Sequence, residues 1–423
     1  MLANIVRWIV IVSALHVGHA AELDREIILT NHTGSEPPDL EVRKWQEKAR
    51  ESSAAADTYE RLAWAYVAKA RRTLDAGFYK LAEKTVDVLD AQFGASFESR
   101  LIRGHVLHNL HRFSAAEEVA RSLVKERGAA MDWALLSDAL VEQGKMDEGV
   151  SALQMMVNLK PGAEAYSRIA YVRWFKGDRP GAVQILELAL RSTDVRDAET
   201  RAWIVSRLSF LHLQQRDAVS ALERAEQAVT VLADYPPALL ARGRALVALG
   251  RLEDAIAPLT RAEELQPLPE YQWWLADVLR ESGRVEEAGR VEQRLVQRGA
   301  DSDPRTLAIY LATRGEKIDR ALRLAEAELI LRGDVFTYDA VAWSLFAAGR
   351  TDSAREYLPR LREYAGSDAR LLWHAAEIER ATGNGAAAER HFADARALAA
   401  TLTPSERNLL ARRAMLPAEV ATQ

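Results

Sequence analysis

Apolar residues recur at helical spacing along most of the chain, and short polar breaks separate the apolar stretches. In residues 130–161, Trp133, Leu136 and Leu140 fall on one face of a predicted helix. Gly144 ends that helix, and a second helix follows after a short turn. The second helix carries its own buried face, made by Gly149, Leu153 and Met156. The pattern therefore predicts a helix–turn–helix unit.

The turn glycine returns at a nearly fixed distance. The recurring glycines are Gly144, Gly177, Gly250, Gly283, Gly315, Gly349 and Gly383. The steps between them are 33, 73, 33, 32, 34 and 34 residues. The step of 73 residues spans two units and a short insertion, and within it Gln215-Arg216-Asp217 takes the turn without glycine. A fixed period of this length predicts a stacked array of units instead of one globular core.

Small residues also recur at one position of each predicted helix. In the first helices they are Gly104, Ala170, Gly243, Ala276, Ala308 and Ala342, and in the second helices Ala116, Ala182, Ala255, Ala288 and Ala354. This arrangement resembles the tetratricopeptide repeat, whose helix pairs approach closely at small residues. The resemblance covers residues 58–398. It implies an all-α fold, a right-handed α-solenoid of about ten helix–turn–helix units, and a binding or scaffolding role without a named ligand.

Several stretches are also similar to a widespread group of exported bacterial tetratricopeptide proteins. They are Ser167-Arg-Ile-Ala-Tyr-Val-Arg, Pro267-Leu-Pro-Glu-Tyr, Tyr338-Asp-Ala-Val-Ala-Trp-Ser-Leu and Leu372-Trp-His-Ala-Ala. This likeness, like the repeat itself, implies a binding or scaffolding role and does not name the ligand.

The first twenty residues differ in character from the repeats. Arg7 precedes an apolar run from Trp8 to Leu15, and the small residues Gly18 and Ala20 follow. This order predicts a secretory signal peptide cut after Ala20, with an uncleaved membrane anchor as the alternative. The predicted organisation is a signal peptide at 1–20, a linker or tether at 21–57, the superhelix at 58–398 and a tail or cap at 399–423. We therefore expect an exported chain, periplasmic or extracellular, that meets the membrane only through an uncleaved N-terminal segment.

Composition adds few constraints. The net charge is −5, and acidic and basic residues alternate without a long run of one sign, so we expect no nucleic-acid partner. The chain has no cysteine, which excludes disulfides and a lipid anchor on an N-terminal cysteine.

The first helices of such arrays line the concave surface. Aligning the units on their turn glycines predicts a partner-binding groove lined by Tyr171, Trp174, Phe175, Trp203, Phe210, Arg244, Trp273, Asp277, Arg280 and Trp343, and extended by Phe336, Phe346 and Trp373. Aromatic side chains suit an apolar or extended peptide, and Arg and Asp would fix its orientation. The alternative is that these rings pack between repeats.

Other chemistry has little support in the sequence. His105, His108 and His111 stand at three-residue steps, but no carboxylate follows one turn later, so we predict no metal site and no cofactor. Catalytic motifs such as Gly-x-Ser-x-Gly or His-Glu-x-x-His are absent. Carboxylate pairs recur at the starts of second helices, where negative charge stabilises the helix.

The sequence therefore predicts a non-enzymatic scaffold of the cell envelope that binds a protein or an extended peptide. An alternative is a structural subunit of an envelope export or secretion assembly. A third hypothesis is a sensor of a small ligand or metal.

Overall fold

The computed structural model describes residues 23–73, 75–364 and 368–413. Residues 23–28 are helical, and no strand occurs in these ranges. The helices are α1 (Pro37–Arg50), α2 (Ala56–Thr73), α3 (Ala76–Phe93), α4 (Phe97–Asn109), α5 (Phe113–Glu126), α6 (Ala130–Glu142), α7 (Met146–Leu159), α8 (Ala163–Phe175), α9 (Arg179–Ser192), α10 (Ala198–Gln214), α11 (Ala218–Val231), α12 (Pro236–Ala248), α13 (Leu252–Leu265), α14 (Pro269–Glu281), α15 (Val285–Ser302), α16 (Pro304–Arg314), α17 (Ile318–Leu331), α18 (Val335–Ala347), α19 (Thr351–Arg355), α20 (Leu358–Tyr364), α21 (Ala369–Ala381), α22 (Gly385–Ala397) and α23 (Pro404–Arg413).

Consecutive helices pack as pairs, beginning with α2 and α3 and ending with α21 and α22. The ninth pair has a second helix that is divided into α19 and α20. The division falls before Pro359, which cannot donate a backbone hydrogen bond to the preceding turn. The prediction of an all-α solenoid of about ten helix pairs is confirmed.

The helices divide into two compact units. The first contains residues 23–141 and 145–159, which is α1 to α7 apart from the end of α6. Its core includes Tyr59, Tyr66 and Ile102. Helix α1 lies inside the stretch predicted as a tether, and its Gln46 Nε2 donates a hydrogen bond to the Tyr66 hydroxyl (2.8 Å). Burial raises the pKa of Tyr66 to about 12, so this phenol remains a neutral packing group.

The second unit contains residues 142–144 and 160–413, with α8 to α23. One of its cores runs through α12 to α15 and includes Leu246, Leu259, Trp274 and Leu279. First helices contact their own partner and also the next first helix, as α10 contacts α11 and α12 and as α16 contacts α17 and α18. The remaining face of the first helices carries the side chains described in the next subsection.

The repeating turn depends on a left-handed backbone position. The seven recurring glycines have φ between 66° and 87°, a region that side chains with a Cβ disfavour. Arg216, in the turn without glycine, adopts the same conformation with φ of 62°. The turn geometry is therefore conserved along the array even where the glycine is missing.

The small residues of the repeat hold neighbouring helices close together. A Cβ on Gly243 would lie 2.5 Å from the Leu259 side chain, and one on Gly104 would overlap Leu135. Ala116 and Ala255 are fully buried at the matching position of second helices. Bulk at these positions would separate helices that are already in contact.

The insertion in the fifth pair lengthens a helix. Helix α10 has 17 residues, whereas α8 and α12 have 13 each. Four extra residues make about one helical turn. Asp197 caps the lengthened end by accepting a hydrogen bond from the Thr200 amide (3.1 Å).

Among the described helices, none is long and apolar enough to cross a membrane. The predicted signal peptide, 1–20, lies outside the described residues.

Two glycines of the seventh pair test the role of the turn. Gly283 has φ of 78° and Gly289 lies within α15, and a Cβ would meet nothing within 4 Å at either position. We expect Gly283→Ala to lower the free energy of unfolding by about 1 kcal/mol, because alanine is strained in the left-handed region. Gly289→Ala adds the same methyl group to a helix interior and should raise the free energy of unfolding by about 0.5–1 kcal/mol.

Urea unfolding followed by circular dichroism measures both changes. Equal effects of the two substitutions would show that the left-handed turn is not what requires glycine.

Candidate functional site

Aromatic side chains from α8 and α10 gather into one cluster in the second unit. Tyr171 lies against Trp174 and Phe175, with ring centroids 5.6 and 5.8 Å apart. Phe210 of α10 meets the Trp174 ring edge-on at 6.1 Å. These four residues belong to the predicted groove, so the structure brings together its N-terminal part. We call Tyr171, Trp174, Phe175, Phe210 and Phe336 the aromatic cluster.

Phe336 joins this cluster from α18, several pairs further along the chain. Its ring is stacked on Trp174, with centroids 6.3 Å apart and planes 11° from parallel, and it also contacts Phe175. First helices of distant pairs therefore face each other within this unit. Such a contact requires the solenoid to curve, which follows from the small rotation between successive repeats.

The members of the cluster differ in how much surface they leave available. Trp174 and Phe175 are buried, and the Trp174 indole donates a hydrogen bond to Gln214 Oε1 (2.9 Å). Tyr171 and Phe210 are only half-buried. Trp174 and Phe175 are therefore shielded from solvent, whereas Tyr171 and Phe210 keep part of their surface exposed.

Arg207 is a charged residue of this region that the sequence prediction did not include. Its guanidinium lies over the rings of Trp174 and Phe210, 5.5 and 5.1 Å from their centroids. It is half-buried, and within the described part of the chain it has no ion pair. Arg207 precedes Phe210 by three residues on the same helix, so helical spacing could have indicated it.

The neighbouring guanidiniums are each matched by a carboxylate. Arg244 is paired with Glu270, and Arg305 is paired with Asp334 at 3.0 Å. Arg207 has no such match, and burial together with the charge of Arg244 lowers its pKa. An arginine stays protonated despite such a shift. The aromatic cluster therefore contains one partly dehydrated positive charge that forms no ion pair with a described carboxylate, and Glu270 favours it only from a longer distance.

A second part of the predicted groove is covered by the chain itself. Trp273 and Asp277 of α14 are buried, 1% and 3% exposed. Asp277 Oδ2 accepts hydrogen bonds from the Ser405 amide (2.9 Å) and hydroxyl (2.6 Å), at the start of α23. Burial nevertheless raises the pKa of Asp277 to about 6. Trp273 therefore packs within the fold, in line with the alternative that the predicted groove rings are packing residues.

The other predicted groove residues lie elsewhere. Trp343 is buried and stacked on His374, with ring centroids 3.9 Å apart. Arg280 is paired with Glu292 of α15 at 2.6 Å. Trp203 is half-buried on α10, and Arg244 lies over the Trp274 ring. The ten predicted residues therefore do not form one continuous groove lining, and whether any of them binds a partner stays a prediction.

The histidines of α4 pack against aromatic rings. His105 lies 5.5 Å from Trp64, and His108 meets the Phe113 ring edge-on at 5.2 Å. Across the described ranges, no group of three or more His, Asp or Glu side chains is arranged to hold a metal ion.

Similar architectures occur in solved structures at low sequence identity. A structure of Pseudomonas aeruginosa pilF is 14% identical, covers 48% of this chain and 90% of its own, and has a TM-score of 0.41. A human IFIT1 dimer with PPP-AAAA is 13% identical, covers 90% of this chain and 99% of its own, and has a TM-score of 0.48. A tetratricopeptide repeat protein from Parabacteroides merdae is 18% identical, covers 60% of this chain and 99% of its own, and has a TM-score of 0.34.

No curated protein matches the chain. The family model described as "Tetratricopeptide repeat" matches residues 211–268 and 240–304, which span α11 to α15. The matched helix pairs have the same organisation as the pairs on either side of them. The chain therefore contains tetratricopeptide repeats at residues 211–304.

Proposed function

We propose that this protein is a non-enzymatic scaffold that binds an extended segment of a partner protein at the aromatic cluster of α8 and α10. The segment would carry an aspartate or glutamate for Arg207 and apolar side chains for Tyr171 and Phe210. Tetratricopeptide arrays are ordered before they bind, so docking an extended segment costs little reorganisation of the receptor.

One observation carries this proposal, namely the unmatched guanidinium of Arg207 between two rings. A charge removed from water without a partner opposes folding, and a buried cation is ordinarily paired. The two rings hold the guanidinium through cation–π contacts, and its hydrogen-bond donors remain for a ligand. A planar guanidinium matches a carboxylate through two parallel hydrogen bonds.

A protein segment fits the site better than an isolated small anion. Tyr171 and Phe210 are half-buried aromatic surfaces of the same cluster, and rigid aromatic side chains are typical anchors in protein interfaces. The chain's net charge of −5 gives no general attraction for nucleic acid, so we propose a protein partner here. As at the sequence level, we place this scaffold in the cell envelope and keep a structural role in an export or secretion assembly as the alternative.

Replacing Arg207 should weaken ligand binding without lowering the free energy of unfolding. Arg207→Met removes the uncompensated charge and keeps a flexible side chain that can contact both rings through its sulfur. We expect the free energy of unfolding to stay the same or rise by about 1 kcal/mol, as with other residues that serve function at the expense of stability. Thermal unfolding of the full chain measures this. A loss of more than about 2 kcal/mol would mean that Arg207 is a structural residue.

The ligand chemistry can be tested by selecting random 12-residue peptides on the full chain from a phage library. We expect the enriched peptides to contain Asp or Glu beside apolar residues. Their affinity should fall about 10-fold to 100-fold in Arg207→Met, because a hydrogen-bonded charge pair contributes roughly 1.5–3 kcal/mol. Arg196→Met is the matched control, since Arg196 is 87% exposed and lies outside the cluster.

Enriched peptides that lack acidic residues, or that bind Arg207→Met as well as the wild type, would contradict the proposal. Tight binding of a short RNA in place of every peptide would favour a nucleic-acid ligand and contradict it equally.

Export can be checked on protein isolated from its native cells. If the predicted signal is cut after Ala20, the N-terminal peptide found by mass spectrometry should begin at Ala21. A chain that retains its first twenty residues in the membrane fraction would instead indicate the N-terminal anchor.

A further inference from the structure

The C-terminal helix α23 returns to the middle of the second unit. After α22 the chain makes one 3₁₀ turn, Ala399–Thr401, and then α23 lies against α14. Asp277 of α14 and Ser405 of α23 are in contact although 128 residues separate them in the sequence. It therefore covers Trp273 and Asp277, two residues predicted from the sequence to line the groove.

The start of α23 is held by directional polar contacts. Thr403 and Glu406 form a capping box, in which the Thr403 amide donates to Glu406 Oε2 (2.9 Å) and the Glu406 amide to Thr403 Oγ1 (3.4 Å). Asp277 accepts from both the amide and the hydroxyl of Ser405. The carboxylate thus sits at the N-terminus of α23, where unpaired amides and the helix dipole favour negative charge.

Glu406 also makes a buried ion pair with α21. Arg370 donates from Nε to Oε1 (2.5 Å) and from the terminal nitrogen to Oε2 (3.0 Å). The pair lowers the pKa of Glu406, and the Arg370 guanidinium lies 5.2 Å from the centre of the Trp273 ring. Further along α23, Asn408 Nδ2 donates to Glu281 at 2.9 Å.

These contacts distinguish α23 from the repeat helices. Two polar side chains at its start, Thr403 and Glu406, are fully buried, and Ser405 is half-buried. Leu402 before the helix and Leu410 within it are among the few apolar residues buried beside them. A buried ion pair gives little net stability, because dehydrating both charges offsets their attraction. Dehydration of Asp277 likewise opposes docking of α23. Water can solvate all these polar groups when the helix leaves, so they add less to the cost of its departure than apolar side chains in their place would.

We infer that the α14–α21 surface formed by Trp273, Asp277, Glu281 and Arg370 is a second protein-binding site, and that α23 is its built-in ligand. The site recognises the N-terminus of a helix that begins with Ser or Thr and carries a glutamate in its first turn. A partner with this chemistry displaces α23 and takes its place. The inference does not depend on the Arg207 site.

The test uses the full chain and a fluorescent peptide with the sequence of residues 400–413. In the wild type, α23 competes at the high effective concentration of a linked segment, so we expect weak peptide binding. Ser405→Asp places a second carboxylate against Asp277 and should release α23. We expect the affinity for the peptide to rise at least 10-fold in this variant. Ala411→Asp adds the same charge on the exposed face of α23 and should leave the affinity unchanged.

Hydrogen exchange of the wild type gives an independent readout that needs no variant. We expect the amides of α23 to exchange at least 10-fold faster than those of α14, because α23 opens without unfolding of the repeats. Exchange of both helices at one common rate would overturn the inference. So would a folded Ser405→Asp chain that binds the peptide no better than Ala411→Asp does.

Discussion

Every helix pair in this protein must bury its apolar face against the next pair, and the other features follow from this constraint. Close contact requires small residues where helices meet, as at Gly104, Ala116 and Gly243. It also requires a tight turn with a left-handed residue, which places the two helices of a pair side by side. Because each pair contacts mainly its neighbours, stability accumulates along the array and leaves one face of the first helices for other uses.

In the second unit, that remaining face of the first helices carries aromatic side chains and the unpaired guanidinium of Arg207. Tyr171, Phe210 and Arg244 all stand six residues before the turn residue of their pair, so the repeat itself brings them to one side. Arg207 lies one turn earlier on that side and, unlike Arg244 and Arg305, forms no ion pair with a described carboxylate. We propose that this unpaired cation is suited to a ligand.

The sequence predicted the array well because its signals are local and repeated. The period, the turn glycines and the small residues each report on contacts within one unit or between adjacent units. The folding-back of α23 could not be predicted in this way, since Ser405 and Asp277 are 128 residues apart. The capping pattern Thr403-Pro-Ser-Glu406 was readable as a helix start, but nothing in it indicates the surface that the helix covers.

The predicted groove shows the same limit. Periodicity indicated which side chains of the first helices are not used for stacking, but it could not show what covers them. Trp273 is buried by α23 and Trp343 by its stacking on His374, whereas Tyr171 and Phe210 keep part of their surface. The curvature of the unit decides this difference, and curvature arises from small rotations summed over several repeats.

The most direct measurement of the central claim is an NMR titration of the full chain labelled with ¹⁵N-arginine. Sodium acetate would replace chloride at constant ionic strength, and the side-chain Nε resonances would be followed. If Arg207 holds a carboxylate site, its resonance should shift and saturate, whereas the exposed Arg196 should change only slightly and without saturation. Identical behaviour of the two resonances would contradict the account.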